Sequence, residues 1–99
     1  MQVWSLLGQH QLPAFSAVLS CELEAGGSVG AHLQQVADEI VVVTEGMGTA
    51  RVNGAEQTLR AGTVVWLPLG AQLELQNDSD SDPLLYLIIK AAPARGEQT

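Results

Sequence analysis

Apolar and polar residues alternate over short stretches of this chain, and turns rich in glycine, proline or asparagine separate the stretches. Between positions 15 and 23 the odd residues are apolar, and Leu73 and Leu75 alternate with Gln72, Glu74 and Gln76. A period of two predicts half-buried strands, and no segment shows the 3.6-residue period of an amphipathic helix. The strands predicted in this way cover residues 1–7, 15–23, 29–34, 40–44, 49–52, 55–59, 63–67, 72–76 and 84–89.

Eight or nine short strands at this spacing predict an all-β sandwich or barrel. The Asn53-Gly54 pair between two of them is the strongest short hairpin signal in the sequence. The stretches 40–44, 63–67 and 84–89 are apolar on both faces, so we expect both faces to be covered. In a chain of 99 residues the second cover would be another subunit, which predicts a homodimer.

The composition bounds the possible functions. Ninety-nine residues with 46% hydrophobic and 15% charged residues predict one globular domain, with a barrel over 1–92 and a polar tail at 93–99. No apolar run reaches the ~18 residues of a membrane helix, and no signal-peptide pattern occurs, so we expect a cytoplasmic protein without membrane contact. The net charge is −7 and the four basic residues are scattered, which argues against nucleic-acid binding.

Several single residues have structural interpretations. Cys21 cannot form an internal disulfide, because it is the only cysteine; we expect a small strand residue whose thiol pKa is raised by Glu22 and Glu24. Tyr86 is expected in the core. Trp66 could line either a pocket or a dimer interface, since both faces of its strand are apolar.

The candidate chemistry lies between residues 32 and 39. His32 and Gln34 are two positions apart, so on a strand they project from one face. Glu39 follows a polar turn and opens the next strand, where its carboxylate could point back at them. A carboxylate beside an imidazole orients the ring and raises its pKa, which suits a general base.

Two glycine-anchored patterns give the chain a family resemblance. The first pattern is Gly26, five residues, His32, one residue, Gln34, four residues, Glu39, six residues and Gly46. The second is Gly62, five residues, Pro68, one residue, Gly70, two residues, Leu73, three residues and Asn77. These spacings resemble the two motifs of the cupin family, whose fold is a double-stranded β-helix, a jelly roll of two facing sheets.

The resemblance also implies a metal site, and this sequence departs from it. Metal-binding cupins hold a divalent ion through three histidines and one glutamate; by position, His32 and Glu39 are retained. Gln34 stands in place of the second histidine and Leu73 in place of the third. A glutamine carbonyl is a weak ligand and leucine is none. We therefore expect either no cofactor or a weakly bound divalent ion held by His32, Glu39 and Gln34.

The sequence favours a small-molecule-binding barrel in which His32, Gln34 and Glu39 orient a mostly apolar or carbonyl-bearing ligand. Val41, Val43, Leu73 and Leu75 would form the walls. Arg51 could anchor an anionic ligand at the barrel mouth, or be a surface residue of a hairpin strand. Two alternatives stay open: a metal-dependent oxygenase or isomerase with His32 and Glu39 as catalytic residues, and a structural or regulatory dimer without a ligand.

Overall fold

The computed structural model describes residues 1–8, 15–33 and 38–92, and these residues form nine strands and no helix. The strands are β1 (Gln2–Gly8), β2 (Phe15–Leu23), β3 (Ser28–Leu33), β4 (Glu39–Glu45), β5 (Met47–Val52), β6 (Ala55–Arg60), β7 (Val64–Leu67), β8 (Gln72–Asn77) and β9 (Leu84–Ala91). The predicted strands are confirmed, with boundaries that differ by one or two residues. The predicted tail at 93–99 lies outside the described residues.

The nine strands build two antiparallel sheets that pack face to face. One sheet has five strands in the order β1-β2-β9-β4-β7, and the other has four in the order β3-β8-β5-β6. This is the all-β architecture that the strand spacing predicted, in the jelly-roll form that the family resemblance implied. No helix able to span a bilayer occurs in the part of the chain that the structure describes.

The hairpin between β5 and β6 forms where the sequence predicts it. Asn53 has φ 51° and Gly54 has φ 85°, so both central turn residues are left-handed. This is the requirement of a two-residue turn that follows the right-handed twist of its strands. The turn fixes the register in which Val52 pairs with Ala55.

The core fills the space between the sheets with the inward half of each strand's side chains. Because side chains alternate between the two faces of a strand, every second residue points into this core. Tyr86 is the largest side chain in the core, and its predicted core position is confirmed. The fully or nearly fully buried apolar residues are Cys21, Leu23, Val41, Val43, Ala50, Leu59, Val65, Leu67, Leu73, Leu75, Leu84 and Tyr86. They form one contiguous cluster.

The outer face of the five-stranded sheet is partly exposed. Within the described part of this chain the strand at 63–67 is covered on its inner face; cover of its outer face by another subunit stays a prediction. β7 is an edge strand; Val65 and Leu67 are buried, whereas Val64 and Trp66 are 54% and 63% exposed. The reason is that the described part of the chain supplies a partner layer to the inner face alone.

Candidate functional site

Two polar side chains are buried among the residues that the structure describes, those of Glu39 and Asn77. They lie at opposite ends of the core. Glu39 pairs with Leu67 at the end of β7, and the chain then passes directly into the start of β8. Asn77 is the last residue of β8, one strand length away.

The amide of Asn77 is fully engaged by the backbone around it. Its Nδ2 donates to the carbonyl oxygens of Leu23, Glu24 and Asp82 at 3.0, 3.1 and 2.8 Å. Its Oδ1 accepts from the backbone N–H of Ser79 at 2.9 Å. The amide thus joins the end of β2 to the turn that follows β8, and both its Nδ2 and its Oδ1 are hydrogen-bonded to the backbone. This end of the barrel has a structural polar residue.

Glu39 begins β4 with its side chain directed into the core, as the sequence predicted. It is 5% exposed, and it shares the inward face of β4 with Val41. Its cross-strand neighbours are Leu67 on one side and Lys90 on the other. A carboxylate is therefore placed at the end of an otherwise apolar layer.

Lys90 is a neighbour of Glu39 that the sequence reasoning missed. On β9 the residues in register with inward-facing neighbours are Leu84, Tyr86, Ile88 and Lys90. Lys90 stands directly opposite Glu39 and is half-buried. The alternation along β9 indicates the inward position of Lys90. In the sequence this lysine is noted only as one of four scattered basic residues.

The charges of Glu39 and Lys90 both act on the pKa of the Cys21 thiol. Its pKa is raised to about 11, mainly by burial and in part by the negative charge of Glu39, while Lys90 acts in the opposite direction. The sequence correctly predicts that the pKa of Cys21 is raised, but the prediction that Glu22 and Glu24 raise it is wrong. Glu22, in register with Leu85 and Gln2, lies on the outer face of the sheet, away from the thiol. Burial likewise raises the pKa of Tyr86 above its usual value, with a smaller contribution from Cys21.

The predicted wall residues divide into two levels. Val41 and Leu73 lie at the Glu39 end, and Val43 and Leu75 lie deeper in the core; all four are at most 4% exposed. A β-bulge in β3 sets the backbone of His32 opposite Leu73. Gln34 and the side chain of His32 lie outside the described part of the structure.

Arg51 is not brought together with the other predicted site residues. It pairs with Glu74 on β8, whereas its neighbour Val52 pairs with Leu73, so Arg51 occupies the outer face of the four-stranded sheet. Its guanidinium donates to Glu56 Oε1 from Nη2 at 2.7 Å and from Nε at 3.0 Å, and Nη1 lies 3.8 Å from Glu74. These carboxylates neutralise Arg51 within a surface cleft of about 210 Å³, which agrees with the alternative of a hairpin surface residue.

Comparison with known proteins agrees with this architecture. Residues 19–90 match the sequence profile of the cupin domain. The chain belongs to the cupin family. A comparison with curated proteins found no match.

Solved structures share the cupin fold. A predicted oxalate decarboxylase from Thermotoga maritima has 22% sequence identity and a TM-score of 0.84, over 93% of this chain and 79% of that one. A cupin 2 conserved barrel domain protein from Salinispora arenicola has 25% identity and a TM-score of 0.73, over 90% and 74% of the two chains. An RmlC-like cupin from Shewanella frigidimarina has 17% identity and a TM-score of 0.69, over 84% and 70%. Likeness at these identities establishes the fold.

Cupins commonly bind a metal, and the residues described here can be tested against that role. Within the described ranges, no three His, Cys, Asp or Glu side chains converge to hold an ion. Leu73 lies opposite the backbone of His32, and Lys90 lies opposite Glu39. Leucine offers no donor atom, and a lysine ammonium repels a divalent cation. Neither of these two neighbours adds a metal ligand beside Glu39.

Proposed function

We propose that this cupin binds a small, mostly apolar molecule carrying a carbonyl oxygen, at the Glu39 end of the barrel. The observation that carries the proposal is the pairing of Glu39 with Lys90 on the inward faces of β4 and β9. Removing charged groups from water costs more than an apolar pair of the same shape would cost. A charged pair at the end of an apolar layer is therefore more readily explained by binding than by stability.

The chemistry of the ligand follows from its neighbours. Val41 and Leu73 present an apolar surface, which favours a hydrocarbon body. The ammonium of Lys90 is a donor without acceptor capacity, and the carboxylate of Glu39 is an acceptor. A carbonyl oxygen would accept from Lys90, while a ligand hydroxyl or N–H would donate to Glu39. His32 and Gln34 remain candidates for orienting the same molecule.

This proposal uses no metal, in keeping with the donor set described above. The alternative of a metal-dependent oxygenase or isomerase requires His32, Glu39 and Gln34 to hold an ion. The alternative of a dimer without ligand requires the Glu39 and Lys90 pair to have only a structural role. The two alternatives predict different results in a thermal-shift experiment.

The experiment is a thermal-shift series with short-chain ketones and with carboxylic acids of the same chain length. A ligand at a hundred times its dissociation constant adds about 2.7 kcal/mol to the free energy of unfolding, a rise of roughly 10–20 °C in Tm for a domain of this size. We expect stabilisation by the ketones in the wild-type protein, and its loss in Lys90→Met, because methionine keeps the side-chain length but removes the donor.

Arg60→Met is the matched control, because Arg60 is an exposed base on β6 and its loss should leave the shift unchanged. An undiminished ketone shift in Lys90→Met would refute the proposed position of the site. A shift that requires a divalent ion and disappears in His32→Ala would support the metal-dependent alternative. Absence of any shift would favour the dimer without ligand.

A further inference from the structure

We propose that Lys90 holds the carbonyl group of the ligand covalently, as a Schiff base, while Glu39 carries the protons that move when this bond forms. The inference rests on the proposed function, because it concerns the same end of the barrel, and it adds the chemistry by which a ketone or an aldehyde is retained. Lys90 is the only lysine in the chain. A lysine amine is the nucleophile that proteins use to form this bond with carbonyl compounds.

The backbone places Lys90 on the inward face of β9, at the end of the core. Two residues earlier, Ile88 packs against the buried cluster, and side chains two positions apart share one face of a strand. Glu39 is the register partner of Lys90 on β4. The N–H of Ala91 donates to the carbonyl oxygen of Asp38 at 3.0 Å, which fixes the register beside this pair. Lys90 is half-buried, so part of its side chain is accessible to a ligand.

Glu39 supplies the acid–base partner that the bond needs. Its side chain is 5% exposed, and residues directly opposite each other on antiparallel strands have Cβ atoms about 4.5–5.5 Å apart. The charges of Glu39 and Lys90 both act on the buried thiol of Cys21, so both lie within electrostatic range of the same part of the core. A carboxylate in this position can take a proton from a reacting nitrogen and return it to a leaving oxygen.

The bond forms by condensation and needs no oxidant or reductant. After the ammonium of Lys90 has released a proton, the neutral amine attacks the carbonyl carbon, a C–N bond forms, and the carbonyl oxygen takes up that proton. Glu39 takes a second proton from the nitrogen and returns it to the new hydroxyl, which leaves as water while the nitrogen lone pair forms the C=N bond. The products are a protonated imine and water. The positive charge opposite Glu39 is therefore conserved, and the buried carboxylate keeps a cationic neighbour.

The test is reductive trapping in the full chain, with butanone as the probe and cyanoborohydride as the reductant. Reduction converts the imine into a stable secondary amine, which peptide mapping by mass spectrometry assigns to a residue. The N-terminal amine is an internal control, because it also pairs with a carboxylate, Glu24 Oε2 at 3.0 Å, but at an exposed position. Unselective reaction labels an α-amino group first, because such groups ordinarily lose a proton more readily than a lysine side chain. We expect labelling at Lys90 to exceed labelling at the N-terminus by about tenfold, because the site orients the carbonyl group.

Three variants test the two roles separately. Lys90→Arg keeps a positive charge opposite Glu39 but cannot form an imine, so it should still unfold cooperatively and should lose the internal adduct. Glu39→Gln should lower the rate of labelling at Lys90 by at least about tenfold, because the proton carrier is removed. Glu22→Gln removes an equal charge from the outer face of β2 and should be labelled at the wild-type rate.

The results separate this proposal from the proposed function. Labelling at Lys90 that is no stronger than at the N-terminus, or that is undiminished in Glu39→Gln, would overturn the proposal. A ketone-induced thermal shift without an adduct on Lys90 would likewise overturn it, and would leave non-covalent binding at this end of the barrel intact. Absence of both the shift and the adduct would overturn the proposal and the proposed function together.

Discussion

The two ends of the barrel core use a buried polar residue in different ways. Asn77 is surrounded by backbone groups that accept or donate each of its hydrogen bonds, and its contacts join β8 to the distant end of β2 and to the turn that follows β8. Glu39 stands instead opposite a lysine at the end of an apolar layer, and we propose that it contacts a ligand there.

The difference shows how a buried polar residue that stabilises the fold can be told apart from one that binds a ligand. A neutral amide saturated by main-chain partners stabilises the fold, because its removal leaves those partners unsatisfied. A carboxylate with a basic side chain opposite it is costly to bury, and stability alone does not explain its presence. Substitutions at the two ends should therefore have opposite profiles, with a large stability effect at Asn77 and a large binding effect at Glu39.

The largest stability effect is expected at Asn77. Asn77→Leu keeps the side-chain volume but removes the donor to the carbonyls of Leu23, Glu24 and Asp82. The carbonyl of Glu24 still accepts from the N–H of Gly27. At roughly 1–3 kcal/mol for each unsatisfied buried group, partly relieved by water, we expect a loss of about 3 kcal/mol. Urea denaturation at fixed protein concentration measures it. The control Gln76→Leu changes an exposed neighbour and should stay within about 0.5 kcal/mol; similar costs in the two variants would contradict this view of Asn77.

A pH-dependent effect of intermediate size is expected from Cys21. Its pKa is about 11 in the fold, against an ordinary value of 9.0. Above pH 9 the unfolded thiol releases its proton while the folded thiol retains it, so alkaline pH favours unfolding. The free energy of unfolding should fall by about 2 kcal/mol between pH 9 and pH 11.

Denaturation curves at several pH values measure this loss, and Cys21→Ala should reduce it. Glu39→Gln should reduce it in part, because burial is the larger cause of the raised pKa and the charge of Glu39 the smaller. An alkaline slope identical in wild type and Cys21→Ala would show that the thiol has no such role.

The smallest stability effect is expected at Glu39 itself. Glu39→Gln removes a buried charge and its desolvation cost together with its attraction to Lys90. Lys90 is only half-buried, so its ammonium can turn to water, and we expect a net loss of about 1 kcal/mol, below the cost of breaking a fully buried pair. The same variant should lose the ketone-induced thermal shift. Glu22→Gln removes an equal charge from the outer face of β2 and should retain the shift. A destabilisation as large as that of Asn77→Leu would instead make Glu39 a structural residue.

Most of the fold could be predicted because its determinants are local. The Asn53-Gly54 turn and the alternation along β2 and β8 each act over a few residues, and they gave strand positions close to the observed ones. The inward direction of Glu39 followed from its place after a polar turn. The outer position of Trp66 did not follow, because β7 is apolar on both faces and only the tertiary structure shows which face the core occupies.

The rest of the site depends on pairings between distant parts of the chain. Lys90 becomes a neighbour of Glu39 only when β9 lies beside β4. The partners of Asn77 are main-chain carbonyls, which have no sequence signature. The separation of Arg51 from Leu73 is likewise a matter of register, since shifting a strand by one residue would exchange its two faces.

The central position of β9 also constrains when the protein can fold during its synthesis. β9 is the last strand in the described chain, yet it lies between β2 and β4 in the sheet. While the ribosome still holds residues 84–91, β2 and β4 lack the strand that joins them, and the five-stranded sheet cannot close. The Asn53-Gly54 hairpin can form earlier because both of its strands are local. The complete barrel is therefore assembled only after the last strand has left the ribosome.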